Sequence, residues 1–147
     1  MNDAMPADKL DDLIGYNLRR ASALMMGDFG AMFAGTFLRP TSFSVACVIE
    51  EQPGITSAEI CRMLGLQRAN IVTLLAELDA ENLIRRVDDA DDKRIQRLYL
   101  NQEKQGDLQL WRKMAGEHEE RMLKRLSAEE RQTLLGMLRR IWRDREA

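Results

Sequence analysis

Histidine is all but missing from this 147-residue chain, and its single copy, His118, rules out a metal centre built on several imidazoles. Cysteine is scarce as well. Cys47 and Cys61 form no CxxC pair and fall inside helical apolar patterns, which points to reduced thiols and a cytoplasmic protein. Long hydrophobic runs are absent: the longest, Phe43–Ile49, is interrupted by Ser44 and falls far short of the ~20 residues of a membrane span. The opening Met1-Asn2-Asp3-Ala4-Met5-Pro6 has neither a basic start nor an apolar stretch, so no signal peptide is expected. There is no Gly-rich phosphate loop and no nucleophile beside a base. The paired acids fall on solvated helix faces or in a polar loop, so neither an enzyme nor a cofactor is expected. Nor is positive charge in excess. With 22 Lys and Arg against 24 Asp and Glu, any surface for a polyanion must come from local placement of cations. No repeat or low-complexity linker divides the chain, and its length suits one domain, residues 1–147, with a real core.

What is present is helical periodicity. Leu10, Leu13, Ile14, Leu18, Ala21, Leu24 and Met25 recur at three-to-four spacing and predict a long first helix. Gly27, Gly30 and Gly35 predict a break within about residues 27–38. Pro40 suits the first turn of a second helix, which stops at Pro53-Gly54. Thr56-Ser57-Ala58-Glu59 reads as a capping box opening a short helix through Ile60, Cys61 and Leu64. Past Gly65 a new helix runs through Ile71, Leu74, Leu75 and Leu78 to Asn82, a residue that tolerates the left-handed cap conformation. Two short helices around a tight Gly-containing turn make a helix-turn-helix candidate.

The period then changes. Leu83–Val87 and Ile95–Leu100 are β-prone runs, the second with Gln96 out and Leu98 and Leu100 in. They flank a polar loop of hairpin length, residues 88–94. A long helix follows through Leu108, Trp111, Ala115, His118 and Met122. A second capping box, Ser127-Ala128-Glu129-Glu130, starts the last helix, through Leu134, Leu135, Leu138, Ile141 and Trp142.

A helix-turn-helix followed directly by a charged hairpin is a winged helix, able to place its second helix in a major groove and its wing in an adjacent minor groove. The fold class is therefore mainly α with a small β-hairpin wing. Residues of about 36–102 form the DNA-binding part, flanked by dimerisation helices over about 8–34 and 103–145. Gln67, Arg68 and Asn70 stand at the start of the second helix, with Thr73 one turn on. Arg reads guanine, and Gln or Asn reads adenine, by bidentate pairing. Lys93 and Arg94 supply cations at the wing, and Arg85, Arg86 and Arg97 on the strands can meet phosphates. Over residues 65–97 six cations face seven acids, four of them the wing's Asp88, Asp89, Asp91 and Asp92. The wing can therefore be a solvated charge run, a surface for a protein partner, or a DNA contact in which aspartates orient arginines.

At Leu74-Leu75-Ala76-Glu77-Leu78-Asp79-Ala80-Glu81-Asn82-Leu83-Ile84-Arg85-Arg86, followed by a wing carrying Asp92-Lys93-Arg94, the chain resembles the multiple-antibiotic-resistance regulator (MarR) family. Helix order matches over residues 8–145. Asn82 replaces the usual Gly, Gln67 stands where Ser or Thr commonly caps the recognition helix, and Asn101 with Gly106 predicts a longer wing-to-helix junction. The resemblance implies a homodimer intertwined through its first and last helices, bound to a pseudo-palindromic operator in double-stranded DNA and acting as a repressor. It places Arg94 in the minor groove and makes Asp92 a salt-bridging buttress of the wing.

The segment holding Tyr16, Arg19, Arg20, Met25, Met26, Phe29, Met32, Phe33 and Phe37 reads either as core packing with solvated arginines or as an apolar pocket. As a pocket it looks like that of family members that sense aromatic carboxylates or their thioesters, with an arginine on the carboxylate. Tyr16, Arg19, Arg20, Met25, Phe29, Phe37 and His118 are its candidate ligand-binding residues, although His118 reads first as a packed or partly exposed core histidine and only second as a hydrogen-bonding group of a pocket. Some relatives sense oxidants through a first-helix cysteine; here that helix has Tyr16 and no cysteine. Cys47 and Cys61 read as buried inert thiols, with oxidant sensing as the alternative.

Overall fold

Capping chemistry sets several element boundaries in the computed structural model, which describes residues 8–143. After a 3-10 turn at Leu10–Asp12 come α1 (Ile14–Met32), α2 (Pro40–Glu51), β1 (Ile55–Thr56), α3 (Ser57–Leu64), α4 (Arg68–Ala80), β2 (Ile84–Asp88), β3 (Gln96–Leu100), α5 (Gln105–Met122) and α6 (Ala128–Trp142). Both expected capping boxes form. The Glu59 N–H donates to Thr56 Oγ1 at 3.3 Å while the Thr56 N–H donates to Glu59 Oε2 at 2.9 Å. At α6 the reciprocal pair joins Ser127 and Glu130 at 3.1 and 2.7 Å. Gly65 closes α3 at φ 65°, a left-handed conformation that glycine adopts without a Cβ penalty. Asn82 takes the same region at φ 55°, and α4 starts at Gln67 with no side-chain cap.

Three sequence expectations need correction. The first helix starts at Ile14 rather than Leu10 and runs through Gly27 and Gly30 to Met32; the break expected within about residues 27–38 follows there, with Gly35 at φ 84°. A helical glycine costs about 1 kcal/mol relative to alanine. Here Phe29 and Phe33 offset that cost by burying themselves beyond it. The wing strands are Ile84–Asp88 and Gln96–Leu100, each starting one residue later than the sequence pattern suggests. A third strand, β1, was not expected at all. It pairs antiparallel with β3 (Ile55 opposite Leu98), giving the order β1-β3-β2. The end of the last helix, expected near residue 145, lies partly outside the described residues.

The main core lies between α2, α3, α4 and the sheet. Val45, Ile49, Ile60, Leu78, Leu83, Leu98 and Leu108 are fully enclosed there, each contributing about 1.5–3 kcal/mol by burial. A second cluster, Phe29, Phe33 and Leu38, packs α1 against Phe43 of α2 and Met114 and Ala115 of α5. α6 is different. None of its residues is buried, and Leu134, Leu135, Met137, Ile141 and Trp142 are exposed. No helix of the described residues is long and apolar enough to cross a membrane.

Candidate nucleic-acid interface and effector cavity

α4 owes its orientation to Ile71, Leu74, Leu75 and Leu78, which bury one face in the core. The opposite face is left to solvent: Gln67, Arg68, Asn70 and Thr73 are all exposed. Arg68 and Val72 of this helix share a concave groove of about 360 Å³ with Arg94 and Gln96 of the wing, so recognition helix and wing present one continuous surface. A second groove, on the other side of α4, is lined by Asn70, Thr73, Arg39 and Thr41.

Two of the wing's four aspartates, Asp89 and Asp92, are taken up by bonds within the wing, while Asp88 and Asp91 stay exposed. Asp89 turns inward: its Oδ1 accepts from Arg97 Nε at 2.6 Å and its Oδ2 from the backbone N–H groups of Asp91 and Asp92 at 3.1 Å each. The Arg97 guanidinium, then those two N–H groups, hold the Asp89 carboxyl below its ordinary pKa. Arg97 also donates to the Gly54 carbonyl at 3.0 Å, tying the wing to the loop before β1. Asp92 accepts from the Arg94 backbone N–H, Nε and Nη2, all at 3.0 Å. Those bonds lower the Asp92 pKa and raise that of Arg94. The Arg94 side chain nevertheless remains 90% exposed, held in direction but free in solvent.

The other cavity lies between α1, the start of α2, α5 and α6. Its volume is about 690 Å³, and Leu18, Met25, Met26, Phe29, Phe43, Leu134 and Leu138 make most of its wall. Its polar lining comes from Ser22, Ser44, Arg112, His118 and Glu119. Arg112 on α5 donates to Glu50 Oε2 at 2.9 Å and Glu51 Oε1 at 2.8 Å, so it joins this cavity to the C-terminal end of α2. His118 is buried, with Nδ1 2.6 Å from Asp28 Oδ2. Arg121 donates to the same carboxylate at 2.6 Å; this bond, then that of His118, lowers the Asp28 pKa.

Comparison with known proteins places this arrangement. The MarR family profile matches residues 38–95, the stretch from Leu38 through the wing. A solved transcriptional repressor, CouR, bound to a 23-mer DNA duplex, is 32% identical, with 93% of this chain and 97% of that chain covered and a TM-score of 0.85. The chain belongs to the MarR family. It is a DNA-binding transcriptional regulator and not an enzyme. The transcriptional regulator HosA of Escherichia coli is 28% identical over 104 residues, 71% of this chain and 77% of HosA. CouR from Rhodococcus jostii RHA1 bound to p-coumaroyl-CoA shares the fold at 24% identity, with 91% and 94% of the two chains covered and a TM-score of 0.81.

Within this MarR-family fold the residues singled out from sequence separate clearly. Gln67, Arg68, Asn70, Thr73, Lys93 and Arg94 lie on the exposed face of α4 and wing. Arg86 does not stand free: its Nε and Nη2 bond Asp79 at 3.1 and 2.6 Å, pinning the wing to α4. Arg85 lies over the Tyr99 ring, 4.5 Å from its centroid. Met25, Phe29 and His118 line the cavity, whereas Tyr16, Arg19, Arg20 and Phe37 do not. Arg19 and Arg20 point to solvent, Arg19 lying 6.0 Å from the Tyr16 ring, and Phe37 packs edge-on to Trp111 at 5.8 Å. The cation that does line the cavity is Arg112, which sequence reasoning missed because its acidic partners lie more than 60 positions away. Arg39, paired with Glu77 beside the second groove, was also missed; no local pattern marks it. Cys47 is buried, and burial pushes its thiol up to about 11, leaving almost no thiolate at neutral pH.

Proposed function

We propose that this regulator acts as a homodimer on a pseudo-palindromic operator and represses the adjacent gene. In this reading it releases DNA when an aromatic carboxylic acid or its thioester enters the cavity between α1, α2, α5 and α6. The observation that carries the DNA reading is the groove shared by Arg68 and Arg94, which joins a major-groove reader to a wing cation on one surface. Lys93, Gln67, Asn70 and Thr73 extend that surface, and Arg39 beside it is placed to meet a phosphate.

Dimerisation is supported by the apolar side chains that α6 and the first turns of the chain leave exposed: Leu10, Leu13, Ile14, Leu135, Ile141 and Trp142. Apolar side chains exposed in this number call for a partner, and a two-fold copy supplies one while presenting two recognition helices. The effector reading is supported by a cavity with a Met- and Phe-rich wall and a cation, Arg112, at its edge. A CouR structure holding p-coumaroyl-CoA, an arylacyl thioester, illustrates such a ligand on this fold. An effector that drew Arg112 from Glu50 and Glu51 would loosen α5 from α2, and about 1.4 kcal/mol of coupling suffices for a tenfold change in DNA affinity.

Fluorescence anisotropy against the DNA upstream of its own gene, titrated across salt and repeated with aryl acids, tests this reading. Binding that outcompetes random duplex, strengthens as salt falls and weakens with an aryl acid is the expected result. Affinity equal to that for random DNA at every salt concentration would overturn it.

A further inference from the structure

His118, the chain's only histidine, is 4% exposed, yet it lines the cavity. The imidazole is fixed from two sides. Its Nδ1 meets Asp28 at 2.6 Å, and the Phe29 ring lies edge-on to it at 5.6 Å. Asp28 is in turn anchored by Arg121, through Nη2 at 2.6 Å and Nε at 3.4 Å, which favours its ionised form. A carboxylate only accepts hydrogen bonds, so the proton between the two side chains belongs to Nδ1. When the ring carries that one proton, Nε2 is a bare acceptor. Among the described residues it has no hydrogen-bond partner, and it is not sealed from solvent. Among the described residues the only buried side-chain nitrogen or oxygen without a partner is Glu77 Oε2. The small surface His118 retains therefore includes Nε2, and His118 is one of the residues that line the cavity.

Charge orients what could sit there. Arg121 balances the charge of Asp28, so the lining itself sets the orientation: Glu119, beside His118, is its one carboxylate and Arg112 its one guanidinium, which favours a carboxylate or acyl oxygen at the Arg112 end. Arg112 stands six residues earlier on α5, about 9 Å away along the helix axis at 1.5 Å per residue. That span matches an aromatic ring with a short acyl chain.

We propose that His118 Nε2 is the specificity-determining acceptor of this cavity, taking a hydrogen bond from a hydroxyl on the effector's aromatic ring while the acyl end points toward Arg112. The chain then selects hydroxyaryl acids or thioesters over their unsubstituted and O-methylated counterparts. A site built to bond a hydroxyl rejects analogues lacking it, because its own buried polar group is left unpaired. This inference rests on the cavity being the effector site.

A sole histidine makes the test direct, since the imidazole ¹⁵N spectrum of the full chain reports one ring. The protein is titrated with 4-hydroxycinnamate, 4-methoxycinnamate and cinnamate at a pH where that spectrum shows a singly protonated ring. The Met25 methyl signal, assigned through Met25→Leu, reports occupancy independently. The expected result is a shift of Nε2 with 4-hydroxycinnamate alone and binding at least about tenfold tighter than for the other two. His118→Phe should then bind all three alike. If all three move the Met25 methyl with equal affinity while Nε2 stays put, the assignment of His118 is overturned and the cavity remains the effector site. If none moves the methyl, the effector reading of the cavity falls, and the role of His118 with it.

Discussion

Removing the wing's exposed cation tests the DNA interface most sharply. Arg94→Ala deletes a side chain that is 90% exposed and held in direction by three bonds to Asp92, so the protein should keep its fold and lose only the contact. A homodimer presents two copies. Each phosphate-neutralising cation contributes about 0.9 to the slope of log K against log salt, so the double loss should make that slope shallower by about 1.8. Over a fourfold rise in salt, the wild type should then lose about 12-fold more affinity than the variant. Asp92→Ala tests direction: it frees Arg94 while adding one net positive charge at the wing, so weaker binding in spite of that charge is the expected result and would come from lost orientation. Anisotropy titrations on operator and random duplex over such a salt range measure both quantities. A slope unchanged in Arg94→Ala would refute the placement of this side chain against the DNA backbone.

Other expectations are equally direct. Arg68→Ala should narrow the gap between operator and random DNA by about 1–3 kcal/mol, and equal losses on both duplexes would show that Arg68 reads no base. Leu135→Asp or Ile141→Asp, at sites 38% and 50% exposed in the protomer, should yield a folded monomer by sedimentation and abolish operator binding; a persistent dimer would move the interface elsewhere. Asp28, Asp89 and Asp92 all have pKa values lowered from 3.8 in the folded state. Their contribution to stability is complete above the unfolded value of about 3.9 and is lost as pH falls through the lower folded values. Melting temperature should therefore drop below about pH 4, less steeply in Asp89→Asn; identical acid profiles for the two proteins would count against the wing ion pair. Cys47, its thiol pushed up to about 11, should react with a disulfide reagent only on unfolding, and rapid labelling of the native protein would reopen an oxidant-sensing role.

Much of the fold was legible in the sequence because its signals are local. The Thr56–Glu59 and Ser127–Glu130 boxes act over three residues, and the left-handed cap at Asn82 depends on that residue's own backbone. The recognition face of α4 follows from the spacing of the four residues it buries. What stayed hidden involves partners far apart in the chain. β1 is two residues long and exists only because β3 arrives more than 40 positions later to pair with it. The break expected within about residues 27–38 falls after Met32, because packing of Phe29 and Phe33 carries α1 through Gly27 and Gly30 against local propensity. Asp28 and His118 are 90 residues apart and Glu50 and Arg112 are 62 apart, separations across which no period or spacing rule operates. The wing's ion pairs fall between these cases: four aspartates in one loop looked hostile to phosphate until Asp89 proved to face inward.

A helix such as α6, which encloses none of its own side chains, would tie the proposed dimer to its own abundance. If its apolar face is covered only by a second copy, each protomer gains that burial in proportion to how often it meets its like, and the melting temperature rises with protein concentration. Doubling the gene's expression would then raise occupancy more than twofold, so the steepness of the genetic response would be set partly by Leu135, Ile141 and Trp142, residues that need never touch DNA or effector.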